Sequence, residues 1–529
     1  MRYFHHAILF VLRVIRFAGY KARWSYFWLI TAHHRALRPF TQFIKSICIP
    51  LSCEYLFLTK AKQQKRVRTS AGSVIFFPYA SPDCLLQHEL IKCILTKQNI
   101  AASVFEAERV ALKAPSVSPH HAIQCENFNH VIAELVNFAQ GDLNFCRGLI
   151  DEFVRSCPAS VFEGDCTISG PFLDRMTALK HYAHSTVSHA SAIVLADSAY
   201  GLNRALRSAA TMQGKPAFAL NPHGQWLQLF DGTDEHTSLL RFNTIVHKLE
   251  QNRYAYKTQA DEYLKLRFSG QSLQDLDSSK AFTAPLRANS AQLMRKKVLF
   301  LHSFRDANAN SFSDDAHHFF FPTYFQWADA ALKLIALNQD EWYIKPHPSS
   351  AAYENEEEIL TSLLTKYRIN PQLLQEGLNT RHILENRWPV YTCSGTIAKE
   401  TACYGYQAHT VGDQIPAAIA QRAATQAEFE NAYKCPLDEA APAIHKPVLI
   451  EAARMLVFEQ FSGQVLLAKK ISPSRPVLPT TTSGAYYRQR YRASLQMIGV
   501  LTRKSSLQAA EAIAAEIVCA ADWPATGTV

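Results

Sequence analysis

Two strand–loop–helix units within residues 298–412 constrain this chain more than any other feature. In the first, the apolar run Trp342-Tyr-Ile344 leads into Lys345-Pro-His-Pro348. In the second, Pro389-Val-Tyr-Thr392 leads into Cys393-Ser-Gly-Thr396, with Glu400 on the segment that follows. Short apolar runs bounded by proline or glycine and followed by helical spacing read as buried strands of a parallel sheet. In such a sheet ligands sit beyond the carboxyl ends of the strands, where helix N-termini converge. Ser394 and Thr396 bring hydroxyls, Gly395 lets the backbone approach a ligand, and the helix start behind them favours an anion. The two prolines around His347 restrict the backbone, so its imidazole projects in few directions. Lys345 or a protonated His347 is then a source of positive charge for a phosphate.

The same alternation recurs on both sides. Upstream, Val74-Ile-Phe-Phe77 reads as a strand, residues 85–95 as a helix and 101–105 as a strand. Residues 120–190 read as mainly helical. Ala192-Ile-Val-Leu-Ala-Asp197 is a strand ending in an acid, 202–212 a helix, and 216–220 the next strand. Residues 241–274 read as two helices between lobes and 275–290 as a linker. A strand at 297–302 opens a second series, with a helix at 324–338, a short one at 379–386 and a strand at 408–412. Residues 414–433 and 447–469 read as helical. The expected fold is therefore α/β with two Rossmann-like lobes, and the 529 residues suit two such lobes plus terminal extensions. The expected divisions are a basic amphipathic extension (1–72), an N-terminal lobe (73–285), a C-terminal lobe (286–470) and a helical tail (471–529).

Lys345-Pro-His-Pro348, followed by Ser394-Gly-Thr396 and Glu400, resembles the donor half of GT-B glycosyltransferases. More narrowly, it resembles bacterial capsule and surface-polysaccharide biosynthesis transferases, the group of the Kdo transferases. The block Val298-Leu-Phe-Leu-His302-Ser-Phe-Arg-Asp306 and the stretch Tyr263-Leu-Lys-Leu-Arg-Phe-Ser-Gly270 fit the same group. The resemblance spans roughly residues 190–415. It implies a nucleotide-sugar donor, CMP-Kdo or a UDP-sugar, in the C-terminal lobe, and a polysaccharide or lipid-linked acceptor against the N-terminal lobe. Ser394-Gly-Thr396 stands where a Ser-Ser pair is usual in CMP-sugar transferases, which keeps UDP-hexoses and CDP-glycerol open.

By the same resemblance, Arg305, Lys345, His347, Ser394, Gly395 and Thr396 line the donor phosphates, and Glu400, four residues past Thr396, meets the ribose. Asp197 and Asp306 are the candidates for a general base, with His347 as a further catalytic candidate. For Asp197 a cap or a buried hydrogen-bonding role is the competing reading. The long loop 303–322 holds Asp314, Asp315, His317 and His318, which read as a polar lid in preference to a metal site. No cofactor or divalent metal is expected. The acids of residues 354–358 read as a helix start, complementing the dipole. Two other functions share the fold: a nucleotide-sugar 2-epimerase, and a catalytically silent scaffold or glycan-binding subunit.

Charge is concentrated at one end. Thirteen Lys and Arg against the single Glu54 give residues 1–70 a formal charge of +12, so the other 459 residues sum to −2 of the chain's +10. In residues 1–60 cations interrupt the aromatic and aliphatic residues, and no apolar run approaches the ~20 residues of a spanning helix. That pattern suits a helix in the interface of an anionic membrane, or a helical extension packed on the body. No nucleic-acid-binding motif accompanies the charge. The apolar stretch Ala7-Ile-Leu-Phe-Val-Leu12 is short and lacks a cleavage site, so it does not read as a signal peptide. The twelve cysteines contain no Cys-x-x-Cys pair and read as reduced thiols, Cys393 and Cys403 as core residues. The expected location is cytoplasmic, peripheral on the inner face of the plasma membrane.

Overall fold

The computed structural model describes residues 73–78, 82–98, 100–105, 120–157, 166–196, 201–220, 227–230, 237–254, 257–270, 282, 294–305, 321, 323–347, 350, 356–375, 378–411, 415–460, 514, 515 and 517. The basic segment 1–72, Asp197, Asp306 and the acids and histidines of 314–318 lie outside the described residues. So do the 275–290 linker, Phe282 apart, and nearly all of 471–529.

The chain is an α/β protein with two parallel sheets, each in a Rossmann-like region. The first region runs β1 (Ser73–Phe77), α1 (Pro82–Lys97), β2 (Ala101–Val104), β3 (Ile123–Cys125), α2 (Phe128–Ala139), α3 (Leu143–Ser156) and β4 (Cys166–Ile168). It continues through α4 (Gly170–Ser188), β5 (Ala190–Leu195), α5 (Gly201–Met212), β6 (Ala217–Leu220) and β7 (Leu227–Phe230). Its main sheet has the order β2-β1-β5-β6-β7, parallel except for β7, which turns back against β6. β3 and β4 form a separate antiparallel pair. The strands are apolar on both faces because helices cover both. Ile75 and Phe77 enter the core with α2, α3 and α4, while Phe76 on the other face meets His88 of α1 edge-on at 5.8 Å.

Helix starts here follow local chemistry. Asn127 caps α2 by accepting from His130 N–H, and Phe128, Val131, Ile132, Leu135 and Ala139 recur at helical spacing on its buried face. Asp142 caps α3, and Ser169 caps α4 with a proline in the first turn.

Two connecting helices, α6 (Thr237–Glu250) and α7 (Lys257–Phe268), lead to the second region: β8 (Lys297–Phe300), α8 (Tyr324–Ile335), β9 (Trp342–Lys345), α9 (Glu356–Lys366), α10 (Thr380–Glu385) and β10 (Val390–Tyr391). Then follow α11 (Thr396–Cys403), β11 (Ala408–Thr410), β12 (Ala420–Arg422), α12 (Gln426–Lys434) and α13 (Pro447–Gln460). The five strands are all parallel, in the order β12-β11-β10-β8-β9.

Successive strand residues serve opposite faces. Leu299, Trp342, Ile344 and Tyr391 pack with α8, α9 and α12, and that cluster is continuous with the core of the first region. Val298, Tyr343, Val390 and Ala408 pack with α6, α7, α11 and α13. The two regions also touch directly, as Phe128 of α2 meets Phe325 of α8 edge-on at 5.5 Å and Gln326 donates to Asn129.

The structure departs from the sequence reading in places. Residues 414–433 are not one helix: β12 occupies 420–422, and α12 begins after it. The β3–β4 pair and β7 are absent from the expectation. The described cysteines form no disulfide, and Cys393 and Cys403 are buried. No described helix is long and apolar enough to cross a membrane.

Candidate functional site

In the second sheet the chain leaves β8 toward β9 on one side and later crosses to β10 on the other. The carboxyl ends of β8 and β10 therefore flank the point where strand order reverses, the place where open α/β sheets leave a crevice. Residues 301–305 leave β8 there, residues 346 and 347 leave β9 next to them, and 392–395 leave β10. Three adjacent strands span roughly 10 Å, so these loops lie along one short edge.

The turn after β8 is held from below. Glu356, first residue of α9 and buried, accepts from Ser303 Oγ, from Phe304 N–H at 3.0 Å and from Arg305 N–H at 2.7 Å. Burial pushes its carboxyl above the ordinary range against the pull of those bonds. Tyr324, at the start of α8, accepts from the backbone N–H of His302, and burial holds its phenol well above the usual value. Glu356 thus has a structural role, as its place at a helix start suggests, but it is exercised on the loop that carries His302.

That loop sets His302 on His347. The two imidazoles stack with centroids 4.7 Å apart and planes 14° from parallel, both rings half-buried. Sequence reasoning selects His347 from its prolines and passes over His302. Nothing local marks His302 except its position two residues past the end of β8.

On the other side, Ser394, Gly395 and Thr396 are partly exposed at the start of α11. α2, α3, α4, α8, α10 and α12 each begin with a side chain that accepts a first-turn N–H; α11 begins at Gly395 and has no such cap. Ala398 N–H closes the first turn onto the Gly395 carbonyl at 3.0 Å, and with no side-chain cap the helix start and its dipole favour an external anion. Gly395 sits in a tight space, because a Cβ there meets Thr392 Oγ1 at 3.0 Å. One turn in, Lys399 is buried, and desolvation pulls its ammonium down to about 8.

Three of the expected donor residues are otherwise engaged. Lys345 is buried and its ammonium donates to the carbonyl of Leu378, because alternation along β9 turns its side chain into the sheet's packed face. Glu400 is buried in an ion pair with Arg267 of α7, its Oε1 accepting from Nε at 2.6 Å and from Nη2 at 2.5 Å. The helical face that carries Glu400 meets α7, so this acid joins two helices; a ribose contact would have to replace that pair. Arg305, expected over the donor, is buried and donates from Nη1 to the carbonyls of Val154 (2.9 Å) and Cys157 (2.6 Å) at the end of α3. It ties the β8 loop to the first region.

The corresponding reversal in the first sheet lies between β1 and β5. Asp197, which follows that edge, and Asp306, which follows Arg305, are outside the described residues, and so is any geometry for a general base. Among the described residues no group of three or more His, Cys, Asp or Glu is arranged to hold a metal ion.

The resulting edge carries two stacked imidazoles, two hydroxyls and a helix start without a side-chain cap, groups whose chemistry suits an anion. Compared with known proteins, the chain matches no protein-family model and no curated protein.

Proposed function

We propose that this protein is a glycosyltransferase of the GT-B type. It moves a sugar from a nucleotide donor, CMP-Kdo or a UDP-sugar, to a capsule or other cell-surface polysaccharide or its lipid carrier. The observation that carries the reading is the uncapped start of α11, with Ser394 and Thr396, beside the His302–His347 pair at the strand-order reversal. The first-turn amides and hydroxyls bind the donor phosphate, and His347 offsets the charge that grows on it as the glycosidic bond to the nucleotide breaks. The acceptor hydroxyl approaches from the first region, and holding both reactants between two sheets supplies orientation. Asp197 and Asp306 remain the candidates for the base that takes the acceptor proton. In this reading the basic residues 1–60 rest on the anionic inner face of the plasma membrane.

A second reading draws on a specific observation. Lys345, Glu400 and Arg305 are all used in internal bonds, as in a transferase fold kept as a silent scaffold or glycan-binding subunit.

Release of free nucleotide from CMP-Kdo and from UDP-hexoses, with membrane extract supplying acceptor, separates the two. Turnover of one donor that falls about 100-fold in His347→Ala and in Ser394→Ala is expected for the transferase. Unchanged turnover in both variants overturns the assigned site, and no turnover of any donor favours the scaffold.

A further inference from the structure

Arg305 closes the end of a helix that belongs to the other region. Its Nη1 donates to the carbonyls of Val154 (2.9 Å), Arg155 (3.5 Å) and Cys157 (2.6 Å), and Val154 also accepts weakly from the Cys157 thiol at 3.5 Å. The last turn of a helix leaves its carbonyls to outside donors, and the dipole there favours a cation. The same device serves α4 from within the first region, where Lys215 Nζ donates to the carbonyls of Val187, Ser188 and Ala190. For α3 the cation comes from 148 residues beyond Cys157, in the loop after β8.

That loop is held on its own side as well. Arg305 N–H donates to Glu356 Oε1 at 2.7 Å and Phe304 N–H to Oε2 at 3.0 Å, so residues 302–305 and the guanidinium share one support. Two further contacts between the regions, Phe128 with Phe325 and Asn129 with Gln326, fall on the start of α8, where Tyr324 Oη accepts from His302 N–H. On its other side α3 lies tight against α5. A Cβ at Gly148 would come within 2.7 Å of Arg204 Cβ, and one at Gly201, the first residue of α5, within 3.0 Å of Glu152 Oε2. Glycine lets the helices approach this closely, so the C-terminal half of α3 meets the start of α5, the helix that follows β5 at the reversal of the first sheet.

We propose that Arg305 is a positioning residue that couples the nucleotide edge to the acceptor side. Contact runs from the β8 loop through Arg305 and the end of α3 to the start of α5, and what orders the loop orders the last turn of α3. Such coupling is reciprocal, so a change at either end is felt at the other. The assignment of nucleotide and acceptor to the two ends rests on the transferase reading above; the clamp itself does not.

The test is amide hydrogen exchange in the full chain, read by mass spectrometry over peptides covering residues 153–157, 201–206 and 302–305, with α13 as reference. Arg305→Met keeps most of the stem and removes the donors. Exchange at the end of α3 is expected to be about tenfold faster in it, with the start of α5 following and α13 unchanged. Arg305→Lys is expected to hold the rise below about threefold, since an ammonium caps α4 in the same way. Glu356→Gln loosens the loop from the second region. It is expected to speed exchange at the end of α3 about threefold, and to have no such effect when Arg305 is already methionine. An α3 end unmoved in Arg305→Met overturns the inference. So does a Glu356→Gln effect of equal size in both backgrounds, an α5 start that does not follow, or a rise that includes α13. If Arg305→Met does not fold, Glu356→Gln alone decides: a faster loop beside an unmoved α3 end overturns the proposal, and a rise at both with α13 unchanged supports it. The same samples are run with CMP and UDP. A bound nucleotide is expected to slow the α3 end about threefold in wild type and not in Arg305→Met. A nucleotide that binds and slows the loop alone overturns the coupling. If exchange without ligand behaves as expected and neither nucleotide binds, the clamp stands and the nucleotide reading falls.

Discussion

Replacing Arg267 by methionine tests whether Glu400 is an interior strut. Both side chains are about 95% removed from solvent, at 4% and 5% relative exposure, and two guanidinium nitrogens converge on Glu400 Oε1 within 2.6 Å. Nη1 of the same arginine reaches Tyr263 Oη at 3.4 Å, so the pair sits in a packed environment. Taking one partner from a buried pair leaves the other charge desolvated, which costs about 3–5 kcal/mol. For a region of this size that is a fall of roughly 6–20 °C in melting temperature. Removing both charges, as Arg267→Met with Glu400→Met, is expected to recover most of the loss, because buried pairs repay their desolvation poorly against apolar residues of similar volume. The assay is urea unfolding of the four proteins of the cycle, followed by circular dichroism and by fluorescence from the tryptophans, Trp388 among them in the same core. A loss below about 1 kcal/mol in Arg267→Met would mean that the pair is effectively solvated. Abolished nucleotide binding in Glu400→Gln with unchanged stability would return Glu400 to the ribose.

Two further perturbations address other parts of the fold. His409 is buried against Tyr391, its Nε2 facing the carbonyl of Ala440 at 3.0 Å, and burial pulls its imidazole from 6.5 to about 4. The unfolded chain takes the proton first as pH falls, so stability present above pH 6.5 is lost between 6.5 and about 4, by up to about 3 kcal/mol. Urea midpoints across that window should show the limb in wild type and a flatter one in His409→Phe; identical limbs would contradict the assignment. Glu356→Ala strands the buried Phe304 N–H, leaves Arg305 N–H with only Ser303 Oγ at 3.2 Å, and is expected to destabilise the protein by about 2–3 kcal/mol. Calorimetry that finds less than about 1 kcal/mol would show that the loop after β8 is held by something else.

Much of the architecture is legible because a parallel sheet covered on both faces leaves near-continuous apolar runs, and Val74–Phe77, Ala192–Leu195 and Val298–Phe300 are such runs. What escapes is short or polar. β3 is only Ile-Gln-Cys, and β12 is Ala-Gln-Arg with two exposed residues, each dependent on a partner distant in sequence. The start of α12 did carry a signal: Thr425 caps Glu428 N–H while the Glu428 carboxylate reaches back to Ala424 N–H, close to a capping box. Within the site, proline and glycine fix loop geometry locally, and His347 and Ser394–Thr396 stand on one sheet edge. Glu400 and Arg305 show the limit of such reasoning. Spacing gives the helical face of Glu400 but not what lies against it, and Arg267 is 133 residues away. Arg305 finds its carbonyl acceptors 151 and 148 residues upstream. His302 becomes visible only when β8 and β9 are side by side.

The account's central claim is that this edge holds a nucleotide phosphate. Thermal unfolding of the full chain with saturating CMP, UDP, CDP, GDP and ADP tests it most directly. At about 100 times its dissociation constant, a ligand of the folded state adds about 2.7 kcal/mol, or roughly 5–11 °C for a region of this size. One pyrimidine nucleotide is expected to give that shift in wild type and in Glu400→Gln, measured against each protein's own unliganded melting temperature, and to give none in a folded His347→Ala. Folded wild-type protein that no nucleotide stabilises, or a shift that survives in His347→Ala, would contradict the claim.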